Sequence, residues 1–341
     1  MPSKPGSPQK TASRSASSSH GKNATKATAR SANTTGATRG SGRKPRKSIL
    51  KRLGVGRSDD APPSNAAEQD EKDNAAPASG TRLSAAEIHE NVRVAADEEM
   101  RRPAADLIWS SIAGGLTIGF SFLAAGYLTL WVDPRLAPVA IAVGYPLGFI
   151  FVVQARSQLF TENTLEPVIP FLQRRDRETF TRLLRLWVLV LAGNLLGALV
   201  FGALASTTML DTEMHRALLR VATAGTDGGF APVLYRAIFG GWLVALMAWL
   251  VSSTRASGAQ IVYIWITTAP IAAFDFRHSV AGAVEAFYLA IAGASPWSSM
   301  LGGFLVPAII GNVIGGVVLV AMLNHGQVGT DGDGGTDDPG D

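Results

Sequence analysis

Apolar segments of membrane-spanning length dominate the chain from residue 107 onward, and no other feature limits its fold as strongly. A helix needs roughly 20 apolar residues to cross the hydrocarbon core of a bilayer. In that core every backbone polar group must bond within the protein, which favours helices when apolar runs are this long. Six segments fit, at 107–132, 139–155, 186–205, 234–251, 261–274 and 301–323. They predict an all-α membrane protein with six transmembrane helices.

Polar residues interrupt the second and fifth segments. The second stops near residue 155 and resumes at 165–172, and the fifth stops at 274 and resumes at 280–291. Non-helical backbone at membrane depth is tolerated only where protein buries it or where it lines a water-filled cavity. We therefore predict that the second and fifth helices are broken and that the breaks border a binding site or pore.

An internal repeat relates the two halves of this region. A Gly-Asn-x-x-Gly motif begins at Gly193 in the third segment and at Gly311 in the sixth, 118 positions later. The same shift makes the two polar interruptions overlap, so the pattern predicts two inverted three-helix repeats. The glycines suit close helix packing. Asn194 and Asn312 need partners in a membrane interior, either the exposed backbone of the broken helices or a neighbouring helix.

Composition divides the chain into four regions. Residues 1–83 are predicted to form a disordered basic tail, because their first 57 residues hold fourteen Lys and Arg and no Asp or Glu. Residues 84–104 are predicted to form a solvated helix at the cytoplasmic surface, with a capping-box spacing at its start; a role at the membrane surface is the alternative. Residues 105–325 make the six-span transmembrane domain, and residues 326–341 a second disordered tail.

Lys and Arg set the predicted orientation. The tail before the first segment is basic and the gap after the second segment carries five arginines, whereas the gap after the first carries only Arg135. Cytoplasmic loops are enriched in Lys and Arg. Both termini are therefore predicted to lie in the cytoplasm, and the protein in a bacterial inner membrane.

Side chains in the two interruptions are candidates for a pore site. His278 lies in the second interruption, and an ionisable group inside a membrane is a functional candidate by default. Its ring can lend a proton to an anion crossing an apolar constriction as a neutral acid, and the Thr161 hydroxyl can contact the same solute. We also predict Asn194 and Asn312 as pore or substrate residues.

Two charged residues of the first interruption, Arg156 and Glu162, are costly in hydrocarbon. Each is predicted to have a partner or to lie near an interface, and a mutual ion pair is one option.

The sequence lacks the residues that several classes of protein function require. The chain has no cysteine, which excludes a disulfide framework, a thiolate nucleophile and a cysteine metal site. It carries no metal-ligand cluster, nucleophile elbow or phosphate-cradling glycine loop. We therefore predict no enzyme activity, no metal and no cofactor.

Three motifs together resemble the formate/nitrite transporter family. They are the Leu-Phe-Thr-x-x-Thr sequence that begins at Leu159, the two Gly-Asn pairs, and the Phe-x-His-Ser-Val-Ala sequence that begins at Phe276. The similarity covers roughly residues 107–325 and is strongest to a branch of inner-membrane proteins. It implies an aquaporin-like fold, a homopentamer with one pore per protomer, and passage of small monovalent anions such as formate, nitrite or hydrosulfide.

The resemblance also implies roles for individual residues. His278 would be the central pore histidine and Thr161 the loop threonine facing it. Leu159 and Phe160 would form one apolar constriction. The other constriction would contain Tyr145, Phe149 and Ile271.

The chain departs from the family pattern at several positions. The loop near Gly225 has no lysine and carries Asp227, and Gly241 replaces a family asparagine. Glu162 and Asp275 add negative charge, and unpaired carboxylates repel an anion. A channel for a neutral small solute is therefore one alternative. A non-transporting membrane scaffold with a basic tail is another, and we expect no specific nucleic-acid binding by that tail.

Overall fold

The computed structural model describes residues 83–208 and 210–326, which are entirely helices, turns and loops without a β-strand. This confirms the all-α prediction for the described part of the chain. Nearly all of the two predicted disordered tails, 1–83 and 326–341, lies outside the described residues.

Twelve α-helices follow one another in the described residues. Their bounds are α1 Ala85–Arg101, α2 Ala104–Thr117, α3 Gly119–Thr129, α4 Ala137–Gly144, α5 Pro146–Gln154, α6 Val168–Arg174, α7 Arg177–Ala205, α8 Thr212–Thr226, α9 Phe230–Ser252, α10 Ser257–Ala273, α11 Ser279–Ile291 and α12 Val306–Gly326. Short 3₁₀ turns occupy Pro134–Leu136 and Glu162–Thr164, and a π-helical stretch occupies Ser299–Leu305.

Five stretches of the described chain are long and apolar enough to cross a membrane. They are Ala104–Thr129, Pro134–Gln154, Arg177–Ala205, Phe230–Ser252 and Ser299–Val320. The predicted fifth segment is divided between α10 and the shorter apolar helix α11, neither of which counts as a long span. The difference between six predicted segments and five long spans therefore arises at the second break.

Both predicted interruptions break the α-helix, and each begins with the same helix ending. Arg156 and Asp275 adopt left-handed backbone with φ of 54° and 57°. In each case the following amide reaches back five residues, from Ser157 to the Val152 carbonyl and from Phe276 to the Ile271 carbonyl. This is the Schellman ending that usually carries glycine. The backbone is thus turned out of the helix at matching places in both halves.

Glycines bring two pairs of helices into backbone contact. A Cβ on Gly197 of α7 would lie 2.3 Å from the Ile112 carbonyl oxygen of α2. A Cβ on Gly315 of α12 would lie 1.9 Å from the Ile238 carbonyl oxygen of α9. No side chain fits at these positions, so the glycines act in helix packing as the sequence predicted.

Helix α1 packs against the body, which corrects the prediction of a solvated helix. Ser84 caps it and forms a capping box with Glu87, as its sequence indicated. Its buried face, formed by Ile88, Val92, Ala96 and Met100, contacts α6, α7 and α9. The sequence showed only a weak apolar face because alanine contributes little hydrophobicity. Alanine nevertheless permits close packing between helices.

A charge clamp holds α1 to α6. Arg174 donates to both carboxylate oxygens of Asp97, at 2.7 and 2.5 Å, and Arg93 donates to the same carboxylate at 3.1 Å. The Arg174 guanidinium lowers the pKa of Asp97 below its ordinary value of 3.8.

Acidification is expected to release this clamp. Because the pKa of Asp97 is lower in the folded state, its stabilisation is present above the unfolded pKa and is lost as pH falls through the folded pKa. Asp97→Asn should cost about 1 kcal/mol at neutral pH and nothing at a pH below the folded pKa. Thermal unfolding in detergent checks this, with the exposed Glu98→Gln as the matched control; equal losses for Asp97→Asn at both pH values would contradict it.

Candidate pore site

The two breaks meet through one hydrogen bond. Thr161 Oγ1 in the first break lies 2.8 Å from His278 Nε2 in the second, across 117 positions of sequence. Both side chains are buried, with exposed fractions of 0% for Thr161 and 2% for His278. Two of the residues that the sequence singled out for the pore are therefore in direct contact in the protein interior.

The His278 ring has a defined tautomer in this arrangement. His278 is the N-cap of α11, and its Nδ1 accepts a hydrogen bond from the Ala281 amide at 3.0 Å. An accepting Nδ1 carries no proton, so a neutral ring bears its hydrogen on Nε2. Nε2 then donates to Thr161 Oγ1, and the Thr161 hydroxyl hydrogen is left to donate elsewhere.

Asn194 holds the first break to its neighbouring helix. Its Oδ1 accepts from the Phe160 amide at 2.8 Å. Its Nδ2 donates to the carbonyls of Gln158 at 2.9 Å and Ser111 at 2.8 Å. The side chain thus bonds both the broken backbone and α2, the two partners that the sequence left as alternatives.

Asn312 repeats this arrangement in the second half. Its Oδ1 accepts from the Ser279 amide at 2.7 Å, and its Nδ2 donates to the carbonyls of Arg277 at 2.9 Å and Ala237 at 2.7 Å. Both asparagines are fully buried. Their polar atoms are occupied by backbone, which gives them a positioning role beside the Thr161–His278 pair.

Apolar side chains surround the pair. The Phe149 ring lies edge-on to the His278 ring with centroids 4.9 Å apart, and Tyr145 packs on Phe149 at 5.3 Å. Ile271 is fully buried near the end of α10. Leu159 and Phe160, in the first break beside Thr161, are 1% and 2% exposed. A solute passing the pair would leave bulk water, which strengthens the polar contacts that remain.

A cavity of 260 Å³ reaches His278 from one side. Residues of α4, α8, α10, α11 and the second break line it, among them Tyr145, Gly225, Arg277, Gly282 and Glu285. We call this cavity the vestibule. It gives small solutes space beside the His278 ring.

Asp275 is paired, which corrects the prediction of an unpaired repelling carboxylate. It forms ion pairs with both Arg236 of α9 and Arg277. The Arg277 side chain is 3% exposed and also donates to the Ala224 and Asp227 carbonyls, at 3.2 and 3.1 Å. Together with Arg236, the second break therefore carries one more positive than negative charge, and Arg277 ties it to the end of α8.

Arg156 and Glu162 do not form the ion pair that the sequence left open. Arg156 is exposed at the end of α5, and Glu162 is partly buried at the start of the 3₁₀ turn. Among residues 83–208 and 210–326, no side chain lies within ion-pair distance of Glu162. The same ranges hold no group of three His, Asp or Glu side chains able to bind a metal ion.

Sequence reasoning missed Arg277 and Glu285 as residues of this site. Arg277 stands directly beside His278, and Glu285 follows His278 by seven positions. Residues seven positions apart lie on one face of a helix, so this spacing was the available signal.

The sequence model described as Formate/nitrite transporter matches residues 86–326. This chain belongs to the formate/nitrite transporter family. The chain is therefore a multi-pass membrane protein, and its family comprises transporters and channels, not enzymes.

Relatives agree with this membership, and solved structures share the fold. Inner membrane protein YfdC of Escherichia coli is 35% identical over 246 residues, which cover 72% of this chain and 79% of the relative. Formate channel FocA of E. coli is 25% identical, with 62% and 82% covered. A pentameric formate channel with formate bound superposes with a TM-score of 0.53 at 20% identity, covering 64% of this chain and 95% of that one. An FNT family ion channel gives 0.57 at 21%, with 72% and 95% covered.

Proposed function

We propose that this chain conducts small monovalent anions of the formate and nitrite type across a bacterial inner membrane. The hydrogen bond between Thr161 and His278 carries the proposal, because it sets one polar pair within an apolar enclosure at the junction of two broken helices. Relatives named as a formate channel and a probable formate transporter support this class of solute.

The pair would act as a hydrogen-bond relay. His278 Nε2 donates to Thr161 Oγ1, which leaves the threonine hydroxyl to donate to a solute oxygen. An anion that is held at this hydroxyl and takes a proton from water on the side where it enters crosses the apolar residues as a neutral acid and releases the proton on the other side. This avoids the cost of a charge in low dielectric. His278 would thereby aid proton-coupled passage.

The proposal also covers the inverted repeats, the orientation in the membrane and the homopentamer. The matched contacts of Asn194 and Asn312 support two inverted three-helix repeats, and hence six membrane-crossing units. Five arginines between 174 and 185 support cytoplasmic termini, which would open the vestibule to the other side. The homopentamer, one pore per protomer, is supported by the pentameric assembly of the similar formate channel.

A channel for neutral small solutes is the second candidate. The carboxyl of Glu162 has no ion-pair partner in the part of the chain that the structure describes. An unpaired carboxylate beside Thr161 disfavours an anion and leaves a neutral solute unaffected.

Flux into proteoliposomes separates the two candidates. The purified chain should admit formate and nitrite well above protein-free vesicles, with a rate that depends on pH, while glycerol stays at background. Glycerol flux without formate or nitrite flux would favour the neutral-solute channel and contradict the proposal. Vesicles carrying residues 83–341 alone test whether the basic tail matters for flux.

A further inference from the structure

Glu285 lies on the vestibule wall and takes no part in the contacts described above. It is 6% exposed, on the same face of α11 as Gly282 and as the N-cap His278. All three residues line the vestibule. At a rise of 1.5 Å per residue, Glu285 lies about 10 Å from His278 along the axis of α11.

The Glu285 carboxyl faces the vestibule. No hydrogen bond or ion pair joins it to another described residue. The only fully enclosed side-chain polar atoms without a partner in the described ranges are Arg277 Nε and Ser279 Oγ. The carboxyl oxygens therefore reach the space of the vestibule. Any solute that approaches His278 from this side passes them.

Gly225 of α8 provides room for this carboxyl. A Cβ at Gly225 would lie 2.1 Å from Glu285 Oε2. Gly225 is in the loop region where the family resemblance leads one to expect a lysine. At this place the chain has the Glu285 carboxyl next to a glycine, instead of the expected lysine.

The charges around the vestibule balance only when Glu285 is ionised. Arg236 and Arg277 contribute two positive charges, and ionised Asp275 and Glu285 contribute two negative ones. Tyr145 and His278 also line the vestibule. A phenol is neutral at ordinary pH, and the His278 ring is neutral in this arrangement because its Nδ1 accepts a hydrogen bond from the Ala281 amide. Protonation of Glu285 changes the vestibule from neutral to singly positive.

We propose that Glu285 determines the solute specificity of the vestibule: its protonated carboxyl admits a small monovalent anion, and its ionised carboxylate repels one. The inference rests on the proposed function and adds a second group to it, on the approach to the Thr161–His278 pair. A unit charge in this poorly screened space changes the local anion concentration by about tenfold or more. Anion entry should therefore rise as pH falls through the titration of Glu285.

The test uses Glu285→Gln, which has nearly the shape of the protonated side chain and cannot ionise. Formate flux into proteoliposomes is measured for the full chain at about pH 4 and about pH 9.5, which lie below and above the titrations of ordinary and of buried carboxyl groups. Glu285→Gln should raise formate flux about tenfold at the higher pH and leave it near the wild-type rate at the lower pH. Glu285→Asp, which keeps the charge, should retain the wild-type pH dependence, and the exposed Glu98→Gln should change nothing.

The outcomes distinguish this inference from the function on which it rests. The role of Glu285 is overturned if Glu285→Gln keeps the wild-type flux and pH profile, or if its flux at the higher pH is lower than that of the wild type. Either result leaves the anion channel intact. Absence of formate flux from wild type and Glu285→Gln at both pH values overturns the proposed function and this inference together. Elution of each variant from size exclusion at the wild-type volume establishes that it is folded.

Discussion

Removal of the Thr161 hydroxyl is expected to reduce formate flux by about 10- to 100-fold. Thr161→Val preserves the shape of the side chain and leaves His278 Nε2 buried without its acceptor at 2.8 Å. A buried polar group without a partner costs about 1–3 kcal/mol, and the solute also loses its hydroxyl donor. Thr161→Ser retains the hydroxyl and should keep most of the flux, as measured in proteoliposomes with equal protein content.

Substitution of His278 separates the relay from helix capping. His278→Asn places a good N-cap residue before α11, so the Ala281 amide keeps an acceptor. The shorter side chain no longer reaches Thr161. His278→Asn should therefore remain folded but lose most of its formate flux at every pH, whereas His278→Ala should lose both the cap and the flux. Normal flux with normal pH dependence in His278→Asn would refute the relay.

Loss of either core asparagine is the second large expected effect. Asn312→Leu leaves the Ser279 amide and the Arg277 carbonyl without this partner and removes a second hydrogen bond from the Ala237 carbonyl, which lies within α9. At about 1–3 kcal/mol for each of the two unpartnered groups, the loss is a large fraction of the stability of an ordinary domain. We expect little folded protein, and the same for Asn194→Leu, which removes three equivalent bonds.

Asn163→Ala is the matched control for this experiment. Asn163 is also a buried asparagine in a break, but its side chain bonds only the Gln158 side chain, at 2.9 Å. Its loss should lower the melting temperature by a few degrees at most, as expected for about 1 kcal/mol. Fluorescence-detected size exclusion after heating compares the variants. Equal thermal stability of Asn312→Leu and Asn163→Ala would contradict the positioning role.

The second break shows how positive charge is arranged without the expected lysine. Asp275 lies between Arg236 and Arg277, and Arg277 also binds carbonyls at the end of α8. An arginine that makes several directed hydrogen bonds is held in place more firmly than a lysine. Its charge is thereby fixed beside His278 at the vestibule.

Local patterns in the sequence were enough for the apolar spans and the positions of both breaks, although they missed helix α8. Apolar length and polar interruption depend only on neighbouring residues and on what a bilayer tolerates. The Gly-Asn motifs likewise indicated close packing and a need for amide partners, although they left those partners open.

Only the tertiary structure decided which distant groups meet. Asp275 has one partner two positions away, Arg277, but its second partner, Arg236, lies 39 positions away. The packing of α1 likewise depends on the distant helices α6, α7 and α9. The place of the Glu285 carboxyl depends on Gly225 of another helix, because the missing side chain leaves space for it. A sequence fixes the chemistry of each side chain, but the electrostatic energy of a charge depends on distances to groups that folding alone brings near.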